Sequence, residues 1–211
     1  MIKLIFLILL VTSCASVNVD TGPFGSVKNF VLKDKITIDD EFISSMSFSF
    51  ILVTFKRNQA VFVLSSISDD GTYTWVGTNN ERIKTLNGMI VDIYNFDPEF
   101  SILFSKNNNL KNNFLEIGND IDLRVNLSKP ELEYLSLNYS RIKELDNSVW
   151  PWNSRKKQQD YNSFIQFQKF NKDIGWNAID SYYILNDMVI ETSQSINPLY
   201  PPIHIEFFYK Y

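Results

Sequence analysis

The stretch RIKTLNGMIVDIYNF, at residues 82–96, decides the fold class. Two runs of aliphatic and aromatic residues flank the pair Asn87-Gly88. Asn-Gly tolerates the two positive φ angles of a type I′ turn, and that turn joins antiparallel strands. The stretch therefore predicts a β-hairpin with strands at residues 82–86 and 89–96.

Strand patterns continue on both sides of this hairpin. Residues 47–55 and 60–67 are aromatic and β-branched, and the four polar residues between them predict a second hairpin. From residue 120 to 127, polar residues alternate with Ile121, Leu123, Val125 and Leu127, which is the period-two pattern of an antiparallel sheet with one wet face. Further strands are predicted at 73–77, 135–139, 163–170, 176–185, 188–195 and 203–210.

The number of strands indicates the architecture. About ten or eleven strands, joined mostly by short turns, predict an all-β fold with a curved antiparallel sheet, either a half-barrel or a barrel-like meander. One or two short helices are expected, one of them in the long connection that follows Asp97-Pro98. No long amphipathic helices alternate with the strands, so a parallel sheet is not expected.

The N-terminus, MIKLIFLILLVTSC, predicts export. Lys3 precedes an apolar run at residues 4–11, in the order of a secretory signal. Eight helical residues reach only about 12 Å, far less than a bilayer core of about 30 Å, so the run is not expected to span a membrane. Cys14 is the only cysteine, so an intramolecular disulfide cannot explain it.

Residues 11–14 resemble the lipobox of bacterial lipoproteins. That resemblance implies cleavage before Cys14 and acylation of its sulfur and its new amine, whereas an ordinary secretory signal would leave the cysteine incidental. Ala15 stands where an Asp retains enterobacterial lipoproteins in the inner membrane, which implies the outer membrane, facing the periplasm. The expected domains are a signal peptide (1–13), a lipidated cysteine with its tether (14–35) and a single β domain (36–211).

Charge and chemistry narrow the function classes. With 20 basic and 24 acidic residues, no nucleic-acid partner is expected. His204 is the only histidine, so neither a triad nor a metal site is expected, and we predict a protein without cofactors that is not an enzyme. A glycan-cleaving enzyme would need paired carboxylates, for which residues 39–41 and 69–70 are candidates. Residues 39–41 are more simply a solvated loop, and residues 69–71 a turn.

Aromatic residues are the stronger candidates for contacts. Trp150 and Trp152 flank Pro151 in a polar stretch that continues to Arg155, so this stretch could contact a glycan or a partner, or could instead cap the core. Trp75, Trp176 and Tyr183 lie within predicted strands, where core packing is expected.

Two flanking stretches, residues 36–91 and 175–208, carry a family resemblance. In the first, a hairpin leads to Trp75, Arg82, Thr85, Asn87 and Gly88; in the second come Trp176, Tyr183, Gln194 and Pro202. In this order they resemble the YjbF/GfcB family of lipoproteins, encoded with bacterial exopolysaccharide and group 4 capsule systems. The middle of the chain, about residues 97–171, matches weakly. Asn186-Asp187 replaces the usual glycine of the last hairpin turn, and these motif positions are expected to be structural.

The resemblance implies a non-enzymatic outer-membrane lipoprotein that assists the production or secretion of a capsule polysaccharide or exopolysaccharide. Its implied partners are an outer-membrane β-barrel and periplasmic proteins of the same gene cluster, with the polysaccharide itself as a candidate ligand and the membrane reached through Cys14. A second hypothesis is a periplasmic carrier of lipid or lipoprotein that uses a cavity on the concave side of the sheet.

Overall fold

The computed structural model describes residues 36–96, 100–103, 121–128, 131–146 and 163–210. The expected signal peptide and tether, Cys14, the helix after Asp97-Pro98, and the candidates Trp150, Trp152 and Arg155 all lie outside the described residues.

Twelve strands and one short helix make up the described part of the chain. Their bounds are α1 (Asp40–Ser45), β1 (Phe50–Phe55), β2 (Asn58–Ile67), β3 (Thr72–Val76), β4 (Arg82–Leu86), β5 (Met89–Tyr94), β6 (Phe100–Leu103), β7 (Ile121–Ser128), β8 (Glu131–Asp146), β9 (Ser163–Asn171), β10 (Trp176–Leu185), β11 (Met188–Gln194) and β12 (Ile203–Phe208).

The strands form one closed antiparallel barrel. Each strand pairs with its neighbours in the chain, and β1 pairs with β12 from Phe50↔Phe208 to Thr54↔His204. The all-β prediction is confirmed, and the sheet closes fully instead of stopping at a half-barrel. In the 87–88 turn, φ is 49° at Asn87 and 81° at Gly88, which confirms the predicted hairpin.

Two local predictions need correction. The sequence predicts no strand at β6, which has four residues, too few for a period-two pattern, and which pairs with β5 at only two positions. The expected solvated loop at residues 39–41 is instead the start of α1. Asp39 is its N-cap, and its Oδ1 accepts a hydrogen bond from the Phe42 N–H at 2.8 Å.

Helix α1 covers part of the outer face of the barrel. Phe42 packs edge-on against Phe50 with ring centroids 5.5 Å apart, and Phe50 stacks on Phe208 at 4.6 Å. These rings belong to a small apolar cluster over β1, β2 and β12. Among the described residues, no helix has the length and apolar character to cross a membrane.

Apolar side chains fill the inside of the barrel. In β7, Leu123, Val125 and Leu127 are buried while Arg124 and Asn126 are exposed, which confirms the predicted alternation. Twelve strands enclose a wider interior than eight, and eight already hold a full layer of side chains. The largest fully buried side chains that face the interior are aromatic: Trp75, Tyr139, Tyr182, Phe62 and Phe167.

Opposite walls of the barrel also touch. A Cβ atom on Gly88, in the β4–β5 turn, would lie 2.6 Å from Cβ of Val189 in β11, far inside van der Waals contact. Because φ at Gly88 is also 81°, glycine is required there both for its backbone conformation and for its lack of a side chain.

We predict that Gly88→Ala lowers the free energy of unfolding by about 2–5 kcal/mol, the sum of a left-handed backbone penalty and overpacking against Val189. Gly175→Ala is the matched control, since Gly175 also has a positive φ (62°) but nothing within 4 Å of its Cβ position. Its cost should be about 1–2 kcal/mol. Urea unfolding of the full chain measures both, and equal losses would refute the steric contribution.

Candidate functional site

The structure brings residues of the N-terminal motif into direct contact. Trp75 Nε1 donates a hydrogen bond to Thr85 Oγ1 at 2.9 Å, and both side chains are buried. Trp75 is in β3 and Thr85 in the neighbouring β4, and both face the interior. The bond satisfies the indole N–H in a place that water does not reach.

Gln194, from the C-terminal motif, binds the backbone beside the Asn87-Gly88 turn. Its Oε1 accepts from the Ile90 N–H at 2.9 Å, and its Nε2 donates to the Gly88 carbonyl at 2.8 Å and to Thr192 Oγ1 at 3.1 Å. The amide thus offers one donor and one acceptor to the backbone, as a neighbouring strand would. The two flanks of the chain that carry the family resemblance therefore meet across the barrel.

A pocket of about 180 Å³ lies at this end of the barrel. We call it the end pocket, and its lining residues are Gly71, Tyr73, Thr85, Asn87, Gly88, Asp187, Met188, Val189 and Tyr209. Two hairpin turns with left-handed backbone border it: the 87–88 turn and the 186–187 turn, where φ is 51° at Asn186 and 63° at Asp187. Asn and Asp tolerate this conformation, so the turn forms without a glycine.

Burial divides the end pocket into a floor, walls and a rim. Thr85, Gly88 and Val189 are buried and form the floor. Tyr73 and Tyr209 are half-buried and form aromatic walls, with ring centroids 6.3 Å apart at an angle of 78°. Gly71, Asn87 and Asp187 are exposed and form the rim.

Three polar groups that line the end pocket have no partner among the described residues, which indicates that the pocket could bind a ligand. Within the described parts of the chain, no hydrogen bond or ion pair involves the Tyr73 hydroxyl, the Asn87 amide or the Asp187 carboxylate. The Tyr209 hydroxyl is already engaged, since it donates to the Val189 carbonyl at 3.0 Å. Asp187 is the one carboxylate among the described lining residues, whereas glycoside hydrolysis uses two. The arrangement suits a small polar ligand.

The other motif positions lie away from the end pocket. Arg82 is exposed, with its guanidinium 4.5 Å from the Tyr94 ring centroid on the outer face. Trp176 is partly buried against the core, and Tyr183 is buried beside Phe164, 4.6 Å between ring centroids. Pro202 is exposed at the edge of an open groove on the outer face of β9–β11.

The titratable residues considered from the sequence have structural partners. His204 Nε2 lies 3.0 Å from Oε1 of the buried Glu191 on the neighbouring strand. Asp70 belongs to the predicted turn, where its Oδ1 accepts from the Thr72 N–H at 3.1 Å and from Ser68 Oγ at 2.7 Å. Together with the cap at Asp39, these contacts give one carboxylate of each candidate group a local structural role.

A polar cluster that the sequence analysis does not predict lies inside the barrel. Lys169 Nζ is 2.7 Å from Asp180 Oδ2 and also donates to the Ser195 carbonyl at 2.8 Å. Asp180 Oδ1 accepts from the Ser195 N–H at 2.8 Å, and the hydroxyls of Tyr139 and Tyr182 are 2.9 Å apart. The sequence does contain a signal for this cluster. In the period-two pattern of β9, Lys169 occupies an inward position, in line with Ile165 and Phe167.

Burial shifts the pKa values of three residues in this cluster. It raises the pKa of Asp180 above its ordinary value, against the opposing effect of Lys169. Burial likewise raises the pKa values of Tyr139 and Tyr182 well above the usual range, so both hydroxyls keep their protons at neutral pH. The cluster ties β8, β9 and β10 to the segment that follows β11.

We predict that Lys169→Met alone lowers the free energy of unfolding by about 3–5 kcal/mol, because it leaves the Asp180 carboxylate buried without its cation. The double variant Lys169→Met/Asp180→Asn should regain most of that loss, since the Asn oxygen can still accept from the Ser195 N–H. Thermal unfolding at neutral pH compares the two. A double variant less stable than the single one would contradict this account.

We also predict that Gln194→Met lowers the free energy of unfolding by about 2–4 kcal/mol, because the Ile90 N–H and the Gly88 carbonyl lose their buried partner. Gln166→Met is the control. Gln166 donates to Ser181 Oγ at 3.3 Å on the half-buried outer face, so its loss should cost less than about 1 kcal/mol. Similar costs for both variants, in urea unfolding, would show that the Gln194 contacts do not hold the turn.

Comparison with known proteins identifies a similar fold. The hypothetical lipoprotein YmcC from Escherichia coli K12, known from a crystal structure, matches with a TM-score of 0.59 and 15% sequence identity, covering 82% of this chain and 90% of that one. No family model matches the sequence, and no curated protein matches it. At this identity the likeness shows a shared fold alone.

Proposed function

We propose that this protein is an outer-membrane lipoprotein that acts as a non-enzymatic accessory factor in the production or secretion of an exopolysaccharide or capsule polysaccharide. Acylated Cys14 anchors the chain to the inner leaflet of the outer membrane, so the domain of this protein faces the periplasm. There it contacts an outer-membrane β-barrel and periplasmic proteins of the same secretion cluster. Several acyl chains on one residue hold a domain on a bilayer far more firmly than one chain does.

One observation carries the proposal: four of the motif residues that resemble the YjbF/GfcB family, Trp75, Thr85, Gly88 and Gln194, form two contacts in the folded chain. Trp75 binds Thr85, and Gln194 binds the backbone at Ile90 and Gly88, which are 104 and 106 positions away. Residues that a family motif spaces widely along the chain are expected to meet if the motif serves one structure. The shared fold with a protein described as a lipoprotein also supports the proposed anchor.

The alternative, a carrier of lipid or lipoprotein, requires an apolar cavity inside the sheet. In the described barrel, the inward-facing side chains pack against one another, with Trp75 5.9 Å from Phe207 and Phe167 5.8 Å from Tyr182 between ring centroids. The end pocket is small and has polar groups at its rim. No observation on the described residues favours the carrier over the export role.

Complementation of a strain that lacks the gene tests the proposal. We predict that deletion lowers cell-surface polysaccharide, that the intact sequence restores it, and that Cys14→Ser does not. Ala15→Asp is the matched variant: it keeps the acylation site but introduces the inner-membrane sorting residue, so it should be acylated without restoring the polymer. Labelled palmitate and membrane fractionation verify acylation and location for each form.

Protein levels must be equal in all strains, because an unanchored chain can be degraded. An unchanged amount of polymer in the deletion strain would contradict the export role. Full restoration by Cys14→Ser would contradict the anchor, and full restoration by an inner-membrane Ala15→Asp form would contradict the outer-membrane location.

A further inference from the structure

We infer that the end pocket binds one uncharged sugar residue at the terminus of a polysaccharide chain. The inference rests on the proposed function for the source of the sugar, but its chemistry comes from the pocket. Four properties of the end pocket carry it: size, aromatic walls, unpaired polar groups and charge.

Size limits the ligand to one ring. The end pocket holds about 180 Å³. Sites for drug-sized ligands are larger, about 300–1,000 Å³. Because the buried Thr85, Gly88 and Val189 close the floor, a sugar can enter only from the rim. A closed floor favours a terminal residue over one in the middle of a chain.

The walls and rim match the two faces of a sugar. A pyranose ring carries apolar C–H groups on its faces and hydroxyls at its edge. Tyr73 and Tyr209 offer aromatic surface for the C–H groups, and both rings are half-buried, so part of each remains accessible. The Tyr73 hydroxyl, the Asn87 amide and the Asp187 carboxylate offer donors and acceptors for the hydroxyls.

Charge selects among sugars. Asp187 carries the one charge among the described residues that line the end pocket. A uronic acid would bring its own carboxylate next to that of Asp187 and would be repelled. Neutral hexoses and N-acetylhexosamines avoid this repulsion, and their hydroxyls can donate to the carboxylate.

Glycine amides report binding directly. The sequence has 7 glycines, of which Gly71 and Gly88 line the end pocket, whereas Gly77 and Gly175 do not. The acylated full chain is labelled with ¹⁵N-glycine and held in a zwitterionic detergent without a sugar headgroup. NMR then follows its glycine amide signals during titration with three neutral probes: methyl α-D-glucopyranoside, methyl β-D-galactopyranoside and methyl N-acetyl-β-D-glucosaminide. Methyl β-D-glucuronide is the acidic probe.

We predict that at least one neutral glycoside shifts the Gly71 and Gly88 signals with a millimolar Kd while Gly77 and Gly175 stay fixed. Binding of the glucuronide should be weaker by about fivefold or more, from repulsion between two carboxylates about 4 Å apart in water. Asp187→Asn, which suits a left-handed turn position, should reduce that discrimination.

Tyr73→Phe keeps the aromatic wall and removes one hydroxyl, so it should weaken binding about 2- to 12-fold. Tyr94→Phe removes the same group on the exposed outer face and should leave binding unchanged. The inference is overturned if no neutral probe shifts Gly71 and Gly88. It is also overturned if the glucuronide binds as well as the neutral probes, or if Tyr73→Phe binds as tightly as the unaltered chain.

These results separate the inference from the proposed function. If the acylated form alone restores the polymer but no neutral glycoside binds, the inference fails and the export role stands. If a neutral glycoside binds but deletion leaves the polymer unchanged, the export role fails and the end pocket remains a sugar site.

Discussion

The need to fill the interior of a twelve-stranded barrel governs the structure. Barrel diameter grows with strand number, and side chains just fill a barrel of about eight strands. This chain fills a wider interior with large aromatic residues and by bringing opposite walls together at one end. There the 87–88 turn lies against Val189, and Gln194 binds the backbone beside that turn. A side chain larger than that of glycine at position 88 would push these walls apart.

The two ends of the barrel meet this requirement differently. At one end, Phe55 packs near Phe96 and Tyr200, with ring centroids about 6 Å apart, and the Lys169–Asp180 pair binds the segment after β11. At the other end, the walls touch at Gly88 and Val189, and the end pocket lies beside this contact. A closed antiparallel barrel has no open sheet edge for a ligand to pair with, so a pocket between turns at its end offers binding groups without opening the sheet.

Local signals predicted most of the fold but little of the site. Asn87-Gly88 specifies its hairpin through backbone preferences of adjacent residues, and the alternation in β7 specifies an inner and an outer face. Closure of the barrel joins Phe50 to Phe208, and no local pattern encodes a pairing between strands so distant in the chain. The end pocket depends on the same kind of distant contact, since it brings Tyr73 and Asn87 next to Asp187 and Tyr209. Only the family resemblance singles out Gln194, because its partners across the barrel are backbone atoms, which carry no sequence signal.

The course of the chain separates the proposed anchor from the end pocket. The Ile36 N–H donates to Gln59 Oε1 at 2.8 Å, close to the β1–β2 turn, which lies at the end of the barrel opposite the end pocket. Helix α1 then crosses the outer face toward the start of β1, near Phe208. If Cys14 anchors the chain, the described domain is therefore attached at its aromatic-filled end. On the proposed function, the end pocket then lies away from the attachment point, so the proposed anchor and the proposed sugar site use different surfaces of the barrel.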